Sequence, residues 1–160
     1  MLGTTRSESK SGVAALTLLR IVVGVIMVAH GLQKLAGYSE WQANVAKMGL
    51  PLPEISAALA LAGELAGGLG LVLGFITPVA AFGVACTMAV AIFTVHIGNG
   101  LFAKDGGFEF PLTLLASALF FMVRGPGPIS FDAMLERARR KSEVQHDRSR
   151  FARPVAHGTR

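Results

Sequence analysis

The chain has 160 residues, of which 52% are hydrophobic and only 16% are charged. Soluble domains carry about a quarter charged residues, so this composition, with a mean hydropathy of +0.54, indicates a membrane protein. The formal net charge of +5 is concentrated in the carboxyl-terminal tail, which makes a local basic segment and not a basic protein. Cys86 is the single cysteine, which excludes an intramolecular disulfide and a CxxC redox pair.

Four apolar segments predict an all-α fold: a polytopic membrane protein built as an antiparallel bundle of four transmembrane helices. A polar tail, residues 1–12, precedes the bundle, which we expect to occupy residues 13–124. The first three segments approach the ~20 residues that a bilayer requires, whereas the fourth is marginal and spans only if "GGFEF" enters the membrane. The four segments cover about residues 13–35, 55–75, 77–97 and 108–123.

The connections between these segments differ in kind. The link between the first two is long enough for a short amphipathic helix, and its Tyr38 and Trp41 suit the membrane interface. The second and third segments follow each other so closely that they must form a hairpin, with Thr77 as the predicted helix cap and Pro78 in the first turn. A glycine-rich loop, "GNGLFAKDGG", joins the last two segments.

A short interfacial helix is predicted after the bundle, within residues 125–141. Ser130 can cap it, and apolar residues then recur at helical spacing at Phe131, Met134, Leu135 and Ala138. The basic residues of this helix are expected to face lipid headgroups: Arg137, Arg139, Arg140 and Lys141. Residues 142–160 are polar and basic, and we expect them to be disordered.

The placement of lysine and arginine predicts the orientation of the chain. Arg6, Lys10 and the basic tail fall on one side of the bundle, whereas the loops of the other side carry only Lys47 and Lys104. The positive-inside rule therefore puts both termini in the cytoplasm.

Four ionisable residues are predicted to meet in one layer near the outer end of the bundle: His30, Lys34, His96 and Glu109. Three of them also have simpler explanations, because Lys34 can snorkel to the headgroups, His96 can mark a helix edge and Glu109 can open a helix. His30 lies one turn deeper than Lys34, and we expect it to face the interior and contact a ligand. Lys34 is expected to mark the membrane boundary and to anchor that ligand.

Glu64 lies near the middle of the second apolar segment, where a carboxylate needs a partner or a purpose. Depths counted along each helix favour Arg20 of the first segment as that partner. The pair is expected either to fix the two helices in register or to form a proton or ligand site inside the bundle. Glycines on the same segment are expected to allow close helix packing: Gly63, Gly67, Gly68, Gly70 and Gly74.

Four stretches of the chain carry a family resemblance: "LLRIVVGVIMVAHGLQKLAG", "GELAGGLGLVLGFITPVAA", "AVAIFTVHIGNGLF" and "GGFEFPLTLLASALFFMVRGPGPISFDAML". Together they resemble the DoxX family of small bacterial membrane proteins over about Leu18 to Leu135. The resemblance implies a four-helix protein of the bacterial inner membrane, related to the DoxD-type subunit of thiosulfate:quinone oxidoreductase. A quinone-linked or thiol-linked redox role is therefore an expectation, and the tail beyond Lys141 lies outside the resemblance.

Three functions are compatible with the sequence. In the first, the chain is a subunit of a membrane redox complex, whose outer layer binds a quinone headgroup or a sulfur oxyanion and whose partner protein takes part in electron transfer. In the second, it is a non-enzymatic scaffold or a protein that binds lipid or a small molecule. In the third, His30 and His96 bind a haem, or a metal together with Glu109, but two scattered histidines give little support to such a site. A homo-oligomer is compatible with each function, and no nucleic-acid-binding fold is present.

Overall fold

The computed structural model describes residues 9–151, with side chains up to residue 146. This part of the chain is helical and contains no strand. A π-helical turn, Ile92–His96, and a 3₁₀ turn, Ile97–Asn99, continue the fourth helix. The α-helices are α1 (Lys10–Ala36), α2 (Tyr38–Lys47), α3 (Pro53–Leu73), α4 (Thr77–Ala91), α5 (Glu109–Arg124) and α6 (Phe131–Phe151).

Three helical stretches of the described chain are long and apolar enough to cross a membrane: Lys10–Ala36, Pro53–Leu73 and Thr77–Asn99. α5 has 16 residues, a length of about 24 Å against the ~30 Å of a hydrocarbon core. Large apolar side chains such as Leu18, Phe82 and Val123 are exposed on the outer faces, as contact with lipid requires. The predicted all-α membrane fold is therefore confirmed, whereas a fourth span stays a prediction.

Glycines bring α3 into close contact with a helix on each side. A Cβ atom added to Gly68 would lie within 3 Å of backbone atoms of Gly24 and Val28 in α1. One added to Gly67 would lie 2.9 Å from the carbonyl oxygen of Ala80 in α4. Gly63 and Gly70 also face α4, and α3 is therefore the central helix of the bundle, with α1 on one side and α4 on the other.

The glycine contacts also fix the register of the antiparallel helices α1 and α3. Gly24 lies against Val72, and Gly31, seven residues later, lies against Leu65, seven residues earlier. By the same register, the end of α1 at Ala36 is level with residue 60 of α3. α3 therefore extends beyond α1 by seven residues, or about 10 Å.

Helix α2 covers this extension of α3. Val45 of α2 is buried, with 1% of its surface exposed, and the Trp41 indole Nε1 donates a hydrogen bond of 3.1 Å to the Ala57 carbonyl oxygen. A short helix, which the sequence allowed between the first two spans, is thus present, and it packs on α3.

Asp132, at the start of α6, holds the end of the bundle at which α4 begins. Its carboxylate accepts hydrogen bonds from the backbone N–H groups of Ile76 and Thr77 and from the Thr77 hydroxyl. α4 begins at Thr77 as predicted, but Thr77 is not its cap, because Asp132 satisfies the free N–H groups from a distant part of the chain.

Helix α6 is longer than the sequence indicated. The Ser130 hydroxyl caps it, accepting a bond from the Ala133 N–H, as predicted. The helix continues to Phe151, so the predicted disorder from Ser142 onward is wrong for residues 142–151. This stretch contains neither glycine nor proline, and the helix therefore has no local reason to end there. Residues 152–160 lie outside the described part.

Candidate functional site

A charge pair joins α1 and α3 in the half of the bundle where α1 ends and α3 begins. The Lys34 ammonium donates to the Glu64 carboxylate oxygen Oε1 in a direct salt bridge. Glu64 is 2% exposed and Lys34 is 23% exposed, so the lysine links a buried carboxylate to the protein surface. The simpler explanation, that Lys34 only snorkels to the headgroups, does not fit, because its ammonium turns inward to Glu64; its expected role as ligand anchor stays a prediction.

The predicted pair between Glu64 and Arg20 is also wrong. Arg20 contacts Gly74, which is ten residues from Glu64 and thus about 15 Å further along α3. Its guanidinium donates instead to the carbonyl oxygens of Pro126 and Ile129, both at 2.9 Å. The prediction counted residues from the ends of the two helices and took those ends as level. In the structure α3 extends well beyond α1, so the two residues lie at different depths.

The Glu64 side chain is directed toward the axis of the bundle. Around α3, Gly63 and Gly67 face α4 while Leu65 and Gly68 face α1, and Glu64 lies between these two directions. Its second carboxylate oxygen, Oε2, is buried, and no group in the described part of the chain donates a hydrogen bond to it. A carboxylate can accept about four hydrogen bonds, so Glu64 retains an open acceptor in an apolar environment.

Trp41 completes this cluster from α2. Its ring centroid lies 4.2 Å from the Lys34 ammonium, within range for a cation–π contact. The sequence alone predicts only a position at the membrane interface for Trp41. Its position in an amphipathic link gave no signal of a role against Lys34, because the contact depends on how α2 folds back along α3.

His30 does not face the interior. Its side chain is exposed, and its ring lies against Phe110 of α5, with centroids 5.7 Å apart. His30 was predicted to face the interior because it lies within about 80° of the buried Arg20 around the axis of α1. This angle instead places His30 at the edge of the buried face, on the side of α5. Its predicted role as a ligand contact stays a prediction.

His96 and Glu109 both bond to the loop between α4 and α5. The His96 ring nitrogen Nδ1 lies 2.7 Å from the Gly106 carbonyl oxygen and donates to it. The Glu109 carboxylate accepts a bond of 2.6 Å from the Ala103 N–H. The structure thus divides the predicted outer layer, because Lys34 joins Glu64 while His96 and Glu109 shape the loop.

Two further features bear on ligand binding. A surface cleft of about 500 Å³ lies between α2 and the start of α3, away from the Lys34–Glu64 pair. Within residues 9–146, no group of three or more His, Cys, Asp or Glu side chains is arranged to hold a metal ion. The cleft is lined by Gln42, Ala43, Ala46, Leu52, Pro53, Glu54 and Ile55.

The arrangement at Glu64 can perform two kinds of chemistry. The open oxygen can accept a hydrogen bond or a proton from a ligand hydroxyl. The Lys34 ammonium has three donors, and those that Glu64 does not use can reach an acceptor atom of the same ligand. The pair therefore offers one open acceptor and the remaining donors of an ammonium to a small polar group.

Comparison with known proteins agrees with this architecture. The DoxX family model matches residues 15–97. The Escherichia coli inner membrane protein YphA is 28% identical over 122 residues, which cover 73% of this chain and 87% of the relative. The E. coli inner membrane protein YqjF is 27% identical over 118 residues, covering 74% and 89%.

A third relative has a name that points to chemistry. The Bacillus subtilis protein named putative oxidoreductase CatD is 28% identical over 127 residues, which cover 79% of this chain and 91% of that protein. No solved structure matches the chain significantly. Because the family model covers more than half of the residues and the apolar helices agree with membrane relatives, this chain is a member of the DoxX family of membrane proteins.

Proposed function

We propose that this protein is the membrane subunit of a redox system and that the Lys34–Glu64 pair binds the headgroup of a quinone-class ligand. The observation that carries the proposal is the open oxygen of Glu64, buried at the bundle axis beside a lysine that is already in place. The relative named putative oxidoreductase supports a redox role, and the inner membrane relatives agree with a ligand that is soluble in the membrane.

The chemistry of a quinol matches the two groups of the pair. A quinol hydroxyl can donate to Glu64 Oε2, and the second ligand oxygen can accept from the Lys34 ammonium. The chain has one cysteine and therefore no dithiol of its own, so a partner protein must exchange electrons with the bound ligand. In this proposal the membrane subunit binds the headgroup and accepts its proton.

The other functions drawn from the sequence have less support. A haem or metal held by His30 and His96 requires the two histidines to meet, whereas His30 contacts Phe110 and His96 bonds to the α4–α5 loop. A scaffold without a ligand explains the buried Arg20 and its two carbonyl bonds, although Arg20 Nε has no partner among the described residues. It does not explain why Glu64 keeps an unsatisfied oxygen, which costs free energy in a purely structural pair.

The proposal is tested by titrating the purified protein, in lipid nanodiscs, with a short-chain quinol. We expect Glu64→Gln to weaken binding by about 10- to 100-fold, the loss that follows when a hydrogen bond to a charged acceptor is removed. Glu54→Gln is the matched control, because Glu54 is exposed at the start of the same helix, and its binding should equal that of the wild type. Equal binding by the two folded variants would refute the site.

The proposal includes a topology of four spans with both termini in the cytoplasm. α5 then crosses the membrane together with part of the loop that precedes it. The basic residues of α6 face the headgroups of the inner leaflet: Arg137, Arg139, Arg140 and Lys141. The charge distribution supports this orientation, because residues 124–160 hold nine Lys and Arg against four Asp and Glu, while residues 1–123 hold six of each.

Reporter fusions test this topology in cells. A reporter fused after Arg160 should be active on the cytoplasmic side, because the excess of Lys and Arg in the tail keeps it in the cytoplasm. A reporter inserted at Lys104 should be active outside. External reporters at both positions would show that α5 does not cross, whereas a cytoplasmic reporter at Lys104 with an external one at the carboxyl end would reverse the orientation and put the Lys34–Glu64 site near the inner surface.

A further inference from the structure

The Lys34 side chain points in a direction that needs an explanation. Lys34 is two residues from the end of α1, and a lysine at such a position normally extends outward to water and headgroups. The register of α1 and α3 places Glu64 level with residue 32, so its carboxylate lies inward of the Lys34 backbone. The ammonium therefore turns toward the interior, against its preferred direction.

Trp41 lies on the outward side of this ammonium. Its indole N–H is bonded to the Ala57 carbonyl oxygen, and Ala57 is seven residues, or about 10 Å, closer to the outer end of α3 than Glu64. From this anchor the ring reaches to 4.2 Å from the Lys34 ammonium. The ring thus covers the ammonium on the side from which water would approach it.

We propose that Trp41 is a positioning residue, which holds the Lys34 ammonium on Glu64 Oε1 and so keeps Glu64 Oε2 as the open acceptor of the site. Two properties of the residue serve this role. The indole N–H bond fixes the ring to α3, and the ring face attracts the cation. α2 thereby connects the outer surface to the buried carboxylate.

The inference deepens the proposed function, because it rests on Glu64 Oε2 being the ligand acceptor. Without the ring, the Lys34 ammonium is free to extend to the outer water, as its 23% exposure allows. Glu64 then loses its cation, and the two groups no longer offer an acceptor and a donor side by side. Trp41 therefore acts on the ligand through Lys34 and not by touching the ligand.

Chemical labelling of lysine tests the positioning role without any ligand. Protein in nanodiscs is treated with a water-soluble amine-reactive ester, and the labelling of Lys34 is measured by mass spectrometry relative to Lys47, an exposed lysine of α2. Trp41→Leu should raise this ratio by about tenfold, and Trp41→Phe, which keeps an aromatic face for the cation but loses the N–H bond to Ala57, should raise it less. An unchanged ratio in Trp41→Leu, or an equal rise in both variants, would overturn the proposal.

Binding of the short-chain quinol separates this inference from the proposed function. Trp41→Leu should weaken binding in the wild-type background and have no further effect in Lys34→Met, because the ring acts through the ammonium. The same additional loss in both backgrounds would show that Trp41 acts by another route. If the wild type binds no quinol, the proposed function fails, and the labelling result alone decides the role of Trp41.

Discussion

Lys34→Met should lower the free energy of unfolding in detergent micelles by about 3–5 kcal/mol, because it leaves the Glu64 carboxylate buried without a cation. Glu64 is 2% exposed, so removal of the lysine leaves its carboxylate with little access to water. The measurement is the unfolding midpoint and slope of the purified variant, followed by the far-ultraviolet circular dichroism of the helices.

The reverse substitution should be less costly. Glu64→Gln removes the charge from the interior, and Lys34 can extend to the outer surface, so we expect a loss of about 1–2 kcal/mol. The double variant should recover much of the Lys34→Met loss, because the unpaired charge is gone. Lys47→Met, at an exposed lysine of α2, is the control. A Lys34→Met variant as stable as this control, or strictly additive single losses, would contradict the pair.

Arg20→Met should loosen the inner end of the bundle and lower the unfolding free energy by about 3 kcal/mol. Arg20 is 2% exposed, and its guanidinium joins the carbonyl oxygens of Pro126 and Ile129, so the substitution removes two charge-assisted hydrogen bonds. The loop between α5 and α6 then loses its attachment to α1. Hydrogen exchange should therefore quicken in residues 125–135 more than in α3.

Two comparisons make this result specific. Arg20→Lys should recover only part of the stability, because an ammonium lacks the fixed fork that spans two carbonyl groups. Arg137→Gln removes an exposed bond to the Pro128 carbonyl oxygen and should cost less than about 1 kcal/mol. If the two variants Arg20→Met and Arg137→Gln have the same stability and the same rates of hydrogen exchange, the Arg20 bonds do not hold the loop.

The helices were predicted well because the composition and spacing that specify a helix lie within one continuous stretch of the chain. Apolar runs of the right length can only be helical inside a membrane, and the pair Thr77 and Pro78 marked the start of α4 to the residue. The end of α6 was missed for an equally local reason. The polar composition after Ser142 predicted disorder, whereas a helix with intrahelical pairs such as Glu136 with Arg140 needs no apolar composition to persist.

The partner of Glu64 was missed because pairing depends on register between helices. Register is set here by where Gly24 and Gly31 of α1 meet α3, and no depth count along a single helix contains that information. The same is true of Trp41, whose contact with Lys34 follows from the fold of α2 along the extension of α3. The residue types of the site were therefore predictable, and their partners were not.

Infrared difference spectroscopy of the quinol-bound and ligand-free protein tests the central claim most directly, since it observes the Glu64 carboxylate itself. The open oxygen Oε2 should accept a hydrogen bond or proton from the quinol, so binding should shift a carboxylate band of the wild type. This shift should be absent from Glu64→Gln and present in Glu54→Gln. A bound quinol that leaves the carboxylate bands unchanged, or that shifts them equally in Glu64→Gln, would contradict Glu64 as the acceptor of the site.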